Sequence, residues 1–354
     1  MGGISQYVLH LLPALAELDK DNTYTIFQSR QDGRSHTPLA PNFRRANLWT
    51  PCHHRLERIA LAAELLPHRL DVFHSPDFIP PAFGAQRRII TIHDLNFHYY
   101  PQFLTAASKR YYADQIQWAV QTATHISADS EATRQDLIKI LHVPPPKVTT
   151  IHLAANPLYT KTYADSAVNK TLDHYNIPRG FILFVGTLEP RKNIPTLLRA
   201  YALLRQATTI DSPLLLIGSK GWLFDEIFAT IDALALRPHV RHLSGIFDEQ
   251  LAHFYQAAAL LATPSHYEGF GLPALEAMHC GCPVIVSNRG SLPEVVGEAG
   301  ILLDPDDVRA WAEAMAQVIT SADLRARLVV KGRLQAPKFS WPQTAAATLD
   351  LYLP

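Results

Sequence analysis

Short apolar, β-branched runs alternate with longer amphipathic stretches along the whole 354-residue chain, and this alternation constrains the fold more than any other feature. It is the pattern of βα units around parallel sheets, whose strands are buried on both faces and so read as continuous apolar runs. In the first half the spacing predicts strands at Thr23–Gln28, Ala46–Thr50, Asp71–Ser75, Arg88–His93, His125–Ala128 and Val148–His152. Helices are predicted at Ile4–Leu18, Leu56–Leu66, Ala106–Gln121 and Ser130–Leu141, the last with Ser130 as N-cap and Glu131 at the positive end of the dipole. The second half predicts strands at Phe181–Gly186, Leu214–Gly218, Val240–Ser244, Leu260–Thr263, Pro283–Ser287 and Gly300–Leu303. Two similar doubly wound domains follow, with the irregular stretch Asn156–Pro178, including a short helical piece around Val168–Tyr175, as the linker. In such sheets ligands bind at the carboxyl ends of the strands, so function is sought on the strand-to-helix loops.

The chain carries 32 Lys+Arg against 32 Asp+Glu, and a balanced charge argues against a protein whose main work is to coat nucleic acid or anionic lipid. Three cysteines, Cys52, Cys280 and Cys282, point to a reducing compartment. Cys280-Gly281-Cys282 beside His279 lacks the second ligand pair of a zinc site, and the preferred reading is buried thiols near a helix end. No apolar run approaches the ~20 residues of a membrane span, and Met1-Gly2-Gly3-Ile4 opens without a charged region ahead of an apolar one. The chain reads as cytoplasmic.

Gly2-Gly3 followed by a helix has the form of a glycine loop after a first strand, yet only Met1 precedes it. The expectation is a first domain whose first strand is missing, through a misassigned start or a truncated copy.

Three loops carry the chemistry. After Leu260–Thr263, the stretch from Pro264 to Met278 places Gly269 and Gly271 where backbone can approach a ligand, with Pro273 at a first helical position and Glu276 in the first turn. The N–H groups around Phe270, Gly271 and Leu272 then form an anion site at a helix N-terminus. Glu268 and Glu276 are expected to address opposite ends of one ligand. A glycine turn with a capping carboxylate is common in α/β proteins, but a second loop, from Gly186 to Asn193, sets Arg191 and Lys192 at a strand end before a helix from about Pro195, as a diphosphate requires. In the first half, Ile89-Ile-Thr-Ile ends in His93-Asp94, and a crevice-facing histidine there can donate to a sugar hydroxyl or steer a proton. His74, on another strand, reads as a satisfied core residue.

Tyr267-Glu-Gly-Phe-Gly-Leu-Pro-Ala-Leu-Glu276, Met278–Ser287, Leu292-Pro-Glu-Val-Val-Gly297, Gly186-Thr-Leu-Glu-Pro-Arg-Lys-Asn193 and Phe339-Ser-Trp341 with Thr344-Ala345 together resemble glycosyltransferase family 4, in its mannosyltransferase-like subgroup. The resemblance covers nearly the whole chain. It implies a GT-B fold, meaning two Rossmann-like domains facing a cleft: residues 1–160 on the acceptor side, a linker at 161–177, a donor domain at 178–338, and a last helix in 339–354 that crosses back onto the first domain. It also implies metal-independent transfer of a hexose from a nucleotide-sugar with retention at the anomeric carbon. Carried over by residue, Lys192 and Arg191 bind the donor diphosphate, Glu276 the ribose, and Glu268 the transferred sugar. His93 sits near that sugar or the acceptor, with Gly2, Gly3 and Asp94 on the acceptor side. Gly186, Gly269, Phe270, Gly271 and Leu272 complete the donor site. Many relatives have an arginine where this chain has Thr187, and Arg191 is the candidate to supply that charge.

The resemblance implies no resident cofactor, a donor tilted toward GDP-mannose, and a glycan or lipid-linked acceptor. A lipid-linked acceptor would fit peripheral contact with the inner membrane face, with Lys109, Arg110, Tyr111, Tyr112 and Trp118 as the candidate surface and an ordinary packed helix as the preferred alternative. The main competing function is a catalytically inactive, truncated GT-B protein that binds nucleotide or a protein partner. A nicotinamide oxidoreductase ranks far lower, because Gly269 and Gly271 are followed by Ala274 where G-x-G-x-x-G needs glycine.

Overall fold

A computed structural model describes residues 3–51, 57–103 and 115–353. The chain divides into two compact units, Met1–Ala154 with Phe339–Pro354 and Ala155–Lys338. Among the described residues are twelve strands: β1 Tyr24–Ser29, β2 Phe43–Leu48, β3 Leu70–Ser75, β4 Ala85–Ile92, β5 His125–Ala128, β6 Val148–Thr150, β7 Ile182–Val185, β8 Leu214–Ile217, β9 Val240–Leu243, β10 Leu260–Thr263, β11 Val284–Ser287 and β12 Ile301–Leu303. Each corresponds to a predicted run.

In the first unit every pairing is parallel, as β1-β2 and as β3-β4-β5-β6. β1 and β3 are each paired on one side only among the described residues. Phe27 of β1 and Phe73 of β3 pack with ring centroids 6.3 Å apart. Ile90, Ile92, Ile126 and Ala128 point into a core closed by Leu137 and Ile116. Ser130 caps the helix Glu131–Ile140 by accepting from the Thr133 N–H.

The last helix, Trp341–Tyr352, belongs to this unit and packs against the first, Gly3–Leu18. Its carboxyl end is held by Arg87, whose guanidinium donates to the carbonyls of Leu351 at 2.9 Å and Tyr352 at 3.1 Å, a cation meeting the negative end of a helix. Near its start the Thr344 hydroxyl donates to the His152 carbonyl at 2.7 Å.

The second unit is one parallel sheet in the order β12-β11-β10-β7-β8-β9. β7, β8, β10 and β11 are buried along their length, as strands covered by helices on both faces must be. Winding reverses between β7 and β10, which pair directly, Leu260 opposite Ile182 and Leu261 opposite Leu183. The loops leaving these two strands therefore emerge side by side at the switch point. Residues 161–177, expected as a linker, carry the helix Asp165–Tyr175, which packs on Asp248–Ala257 inside this unit. No helix among the described residues is long and apolar enough to cross a membrane.

Candidate active site

The switch point of the second unit gathers the charged residues. From β7 the chain runs through Gly186 and a short turn, Pro190–Lys192, into the helix Ile194–Ala207. From β10 it runs through Ser265 and Glu268 to Gly271, at φ +94, and into the helix Leu272–His279. A side chain at Gly271 would meet Leu292 at 2.6 Å, so this entry requires glycine both for its left-handed backbone and for space. The Leu272–His279 helix starts there; Pro273 has no N–H and the Ala274 N–H donates back to the Gly271 carbonyl at 3.0 Å, so of the first three residues only Leu272 is left with an N–H for the crevice.

Lys192 Nζ donates to Glu268 at 2.7 Å (Oε1) and 2.9 Å (Oε2), and Arg191 Nη1 donates to Glu268 Oε2 at 2.9 Å. Arg191 also lies 2.7 Å from the Glu189 carboxylate and donates to the Tyr267 carbonyl at 2.8 Å. The Ser265 hydroxyl donates to Glu268 Oε1 at 2.6 Å. Glu189, Lys192 and Glu268 are all buried. Burial pushes the Glu268 carboxyl up, but Lys192 and Arg191 outweigh it and hold the group at about 2. Burial, with Arg191 beside it, pulls the Lys192 ammonium below its ordinary value. Two cations are thus balanced by two carboxylates, and a polyanion arriving here meets donors whose geometry is already set.

The backbone of Glu268 is clamped from behind. The Ser291 hydroxyl donates to the Glu268 carbonyl at 2.9 Å, and a Cβ at Gly290 would lie 2.7 Å from that same oxygen. Sequence reasoning does not single out Gly290, Ser291, Ser265 or Glu189. It picks out Leu292-Pro-Glu-Val-Val-Gly297, but the Gly-Ser step just ahead of that motif is the part that touches the site.

Glu276 is on the same helix. The helix begins at Leu272, so Glu276 lies beyond the first turn, where its carboxylate accepts from the Tyr255 hydroxyl at 2.9 Å. Burial, with Asp248 adding to it, raises Glu276 to about 7 despite that bond.

In the first unit, His93 follows β4 and Asp129 follows β5, and the register Ile92 opposite Ala128 brings them abreast. His93 Nδ1 is 2.6 Å from Asp129 Oδ2, and Nε2 is 2.9 Å from the Pro76 carbonyl. Tyr7 meets the His93 ring edge-on at 5.4 Å. Asp94 turns to its own loop, accepting from the Asn96 N–H at 3.1 Å and from the Asn96 side chain at 2.6 Å. Gly3 opens the first helix. Gly2 and Cys52 lie outside the described residues, as do Lys109, Arg110, Tyr111 and Tyr112 of the expected membrane-contact helix. From that surface Trp118 is packed against the core, with the Arg58 guanidinium 4.4 Å over its ring. Cys280 and Cys282 follow a helix end as free thiols, Cys282 buried. Among the described residues no three His, Cys, Asp or Glu side chains converge on one point as a metal site would need.

Comparison with known proteins covers both units. Residues 1–157 match the family described as Glycosyltransferase Family 4 and residues 175–335 the one described as Glycosyl transferases group 1. Over 99% of its length the chain is 32% identical to the O-antigen chain mannosyltransferase B of Escherichia coli, taking in 95% of that protein. Over 65% of its length it is 31% identical to the serotype-specific mannosyltransferase WbdA of Escherichia coli, of which the match takes in 29%. Among solved structures, WaaG, a glycosyltransferase involved in lipopolysaccharide biosynthesis, superposes with TM-score 0.78 at 17% identity over 99% of this chain and 96% of that one. Anabaena Alr3699/HepE in complex with UDP and glucose superposes with TM-score 0.75 at 19% identity over 99% and 95%. With two Rossmann-like units, both halves matched and a relative similar along its whole length, the chain belongs to glycosyltransferase family 4 and has the GT-B fold.

Proposed function

We propose that this glycosyltransferase moves a hexose of the mannose class from a nucleoside-diphosphate sugar to a glycan or lipid-linked acceptor, with retention at the anomeric carbon. The observation that carries the reading is the pair Arg191 and Lys192, set by Glu189 and Glu268 at the switch point of the second unit. Breaking the anomeric carbon–oxygen bond builds positive charge on the sugar and negative charge on the departing diphosphate. Arg191, Lys192 and the N-terminus of Leu272–His279 then act more strongly on the transition state than on the bound donor. Glu268, ionised and engaged by both cations, orients them and offers carboxylate oxygens to sugar hydroxyls. Held near 2, it is too weak a base to take the acceptor proton. The acceptor hydroxyl therefore attacks from the face the diphosphate leaves, and a diphosphate oxygen receives its proton. Glu276 is the ribose-binding group of this reading. The mannosyltransferase relative supports the choice of sugar, and the neighbour crystallised with UDP and glucose supports a nucleotide-sugar donor.

The test is thermal-shift and turnover measurement of the purified chain with GDP-, UDP-, ADP- and dTDP-sugars. One donor should stabilise the protein and be turned over, and Lys192→Ala should lower turnover by about 10²–10³. Unchanged kinetics in that variant would remove Lys192 from the site. Binding without transfer to any acceptor would favour the inactive nucleotide-binding alternative, and no shift with any donor would overturn the donor-site reading.

A further inference from the structure

Two histidines, His74 on β3 and His93 just after the neighbouring β4, stand in opposite chemical settings. His74, on β3, has Nε2 2.7 Å from the Thr91 hydroxyl and Nδ1 2.6 Å from the Tyr352 hydroxyl. Each hydroxyl can donate or accept, so a neutral ring is fully satisfied. His93 faces only acceptors: the Asp129 carboxylate at Nδ1 and the Pro76 carbonyl at Nε2. A neutral imidazole there turns one lone pair onto an oxygen that has no proton to give, unless the carboxyl itself is protonated. The intrinsic order of the two groups, carboxylate about 4 and imidazole about 6.5, puts the shared proton on the ring. Asp129 is 2% exposed, and its Oδ1 has no hydrogen-bond partner, so its charge is committed to the imidazole through Oδ2.

We infer that Asp129 is a positioning residue that keeps both ring nitrogens of His93 protonated, so that His93 serves the first unit's site as a fixed cation and not as a proton acceptor. Its role in transfer rests on the function proposed above; the protonation state does not. The groups facing His93 from each packed element are Tyr7 on the first helix, His74 on β3, Asp77 after β3 and Asp129 after β5. Burial alone would discharge His93, but the charge and bond of Asp129, the Pro76 carbonyl and Asp77 outweigh it and raise the group to about 9. His74 is moved the other way, to about 4, by burial and by the charge on His93. A permanently charged His93 fits a reaction in which the departing phosphate takes the acceptor proton, because no free base is then needed on the acceptor side.

The test follows the His93 ring by two-bond ¹H–¹⁵N NMR, assigned with His93→Gln, from pH 5 to 10. The native chain should titrate near 9, and Asp129→Asn should bring the midpoint below the ordinary value of about 6.5. In Asp129→Asn the ratio of variant to native kcat should fall at least about tenfold at pH 8 and recover toward pH 6, as the ring regains its proton. A native midpoint at or below about 6.5, or a variant that titrates like the native chain, overturns the inference. A flat kcat ratio overturns the role in transfer while leaving the protonation state standing. Should Asp129→Asn fail to fold, the native titration decides alone. A native chain that turns over no sugar donor sinks the function proposed above without touching the NMR result.

Discussion

At the scale of single residues the second-unit site is an arrangement of charges that compensate one another before any substrate arrives. Glu268 is the centre of it, and its depressed carboxyl has a consequence for stability. Its folded value of about 2 lies below its ordinary value of 4.5. The group therefore contributes stability above 4.5, which is lost as pH falls toward 2. The expected size is about 3 kcal/mol, from roughly 1.4 kcal/mol for each pH unit separating the two values. Urea unfolding followed from pH 6 to pH 2 checks it. Glu268→Gln should remove this part of the acid dependence and, by leaving buried Lys192 and part-buried Arg191 with one counter-charge, cost about 3–5 kcal/mol. The same reasoning runs in the other direction for His93. Its raised value supports the fold below about 6.5 and loses that support as pH climbs through about 9.

At the scale of elements, loops act as bracing for one another. The turn at Gly290 and Ser291 touches the Glu268 backbone and braces the residue from which the carboxylate extends. Gly290→Ala would place a methyl group 2.7 Å from the Glu268 carbonyl and force a residue at φ +59 to carry a side chain. We expect kcat to drop by about 10²-fold, since a displacement of about 1 Å at a positioned group has that effect, with the melting temperature only modestly lowered. Steady-state kinetics beside a melting curve separate the two effects. The strands show how much of the element level is legible in the sequence. β10 has the bounds its apolar run predicts, because a buried parallel strand carries the signal along its whole length. β2 opens earlier than predicted, at Phe43, because Arg44 and Arg45 break the apolar pattern. As part of a two-stranded sheet it can carry them, Arg44 donating to Thr25 and Arg45 to Asn47.

At the scale of the whole molecule, the first unit is stitched from the two ends of the described chain. The final helix completes its packing, and Arg87 on β4 fastens that helix by its last carbonyls. Arg87→Ala should destabilise the first unit by about 1–3 kcal/mol, the cost of leaving such carbonyls without a charged donor, and leave the second unit unmoved. Calorimetry that resolves two transitions is the check: only one should shift. The fold class, the alternation of strands and helices, and the glycine-bearing loops at the strand ends were determined by the sequence itself. Those properties are local: an apolar run buries a strand, and a glycine turn with a following proline starts a helix. Which residues meet was decided by tertiary structure alone. His93 and Asp129 are brought abreast by the β4–β5 register, and Lys192 and Glu268 by the pairing of β7 with β10. No local preference encodes such neighbours, because they arise from hydrogen bonding between strands far apart in sequence, and charge at these sites depends on burial that exists only once the sheets have formed.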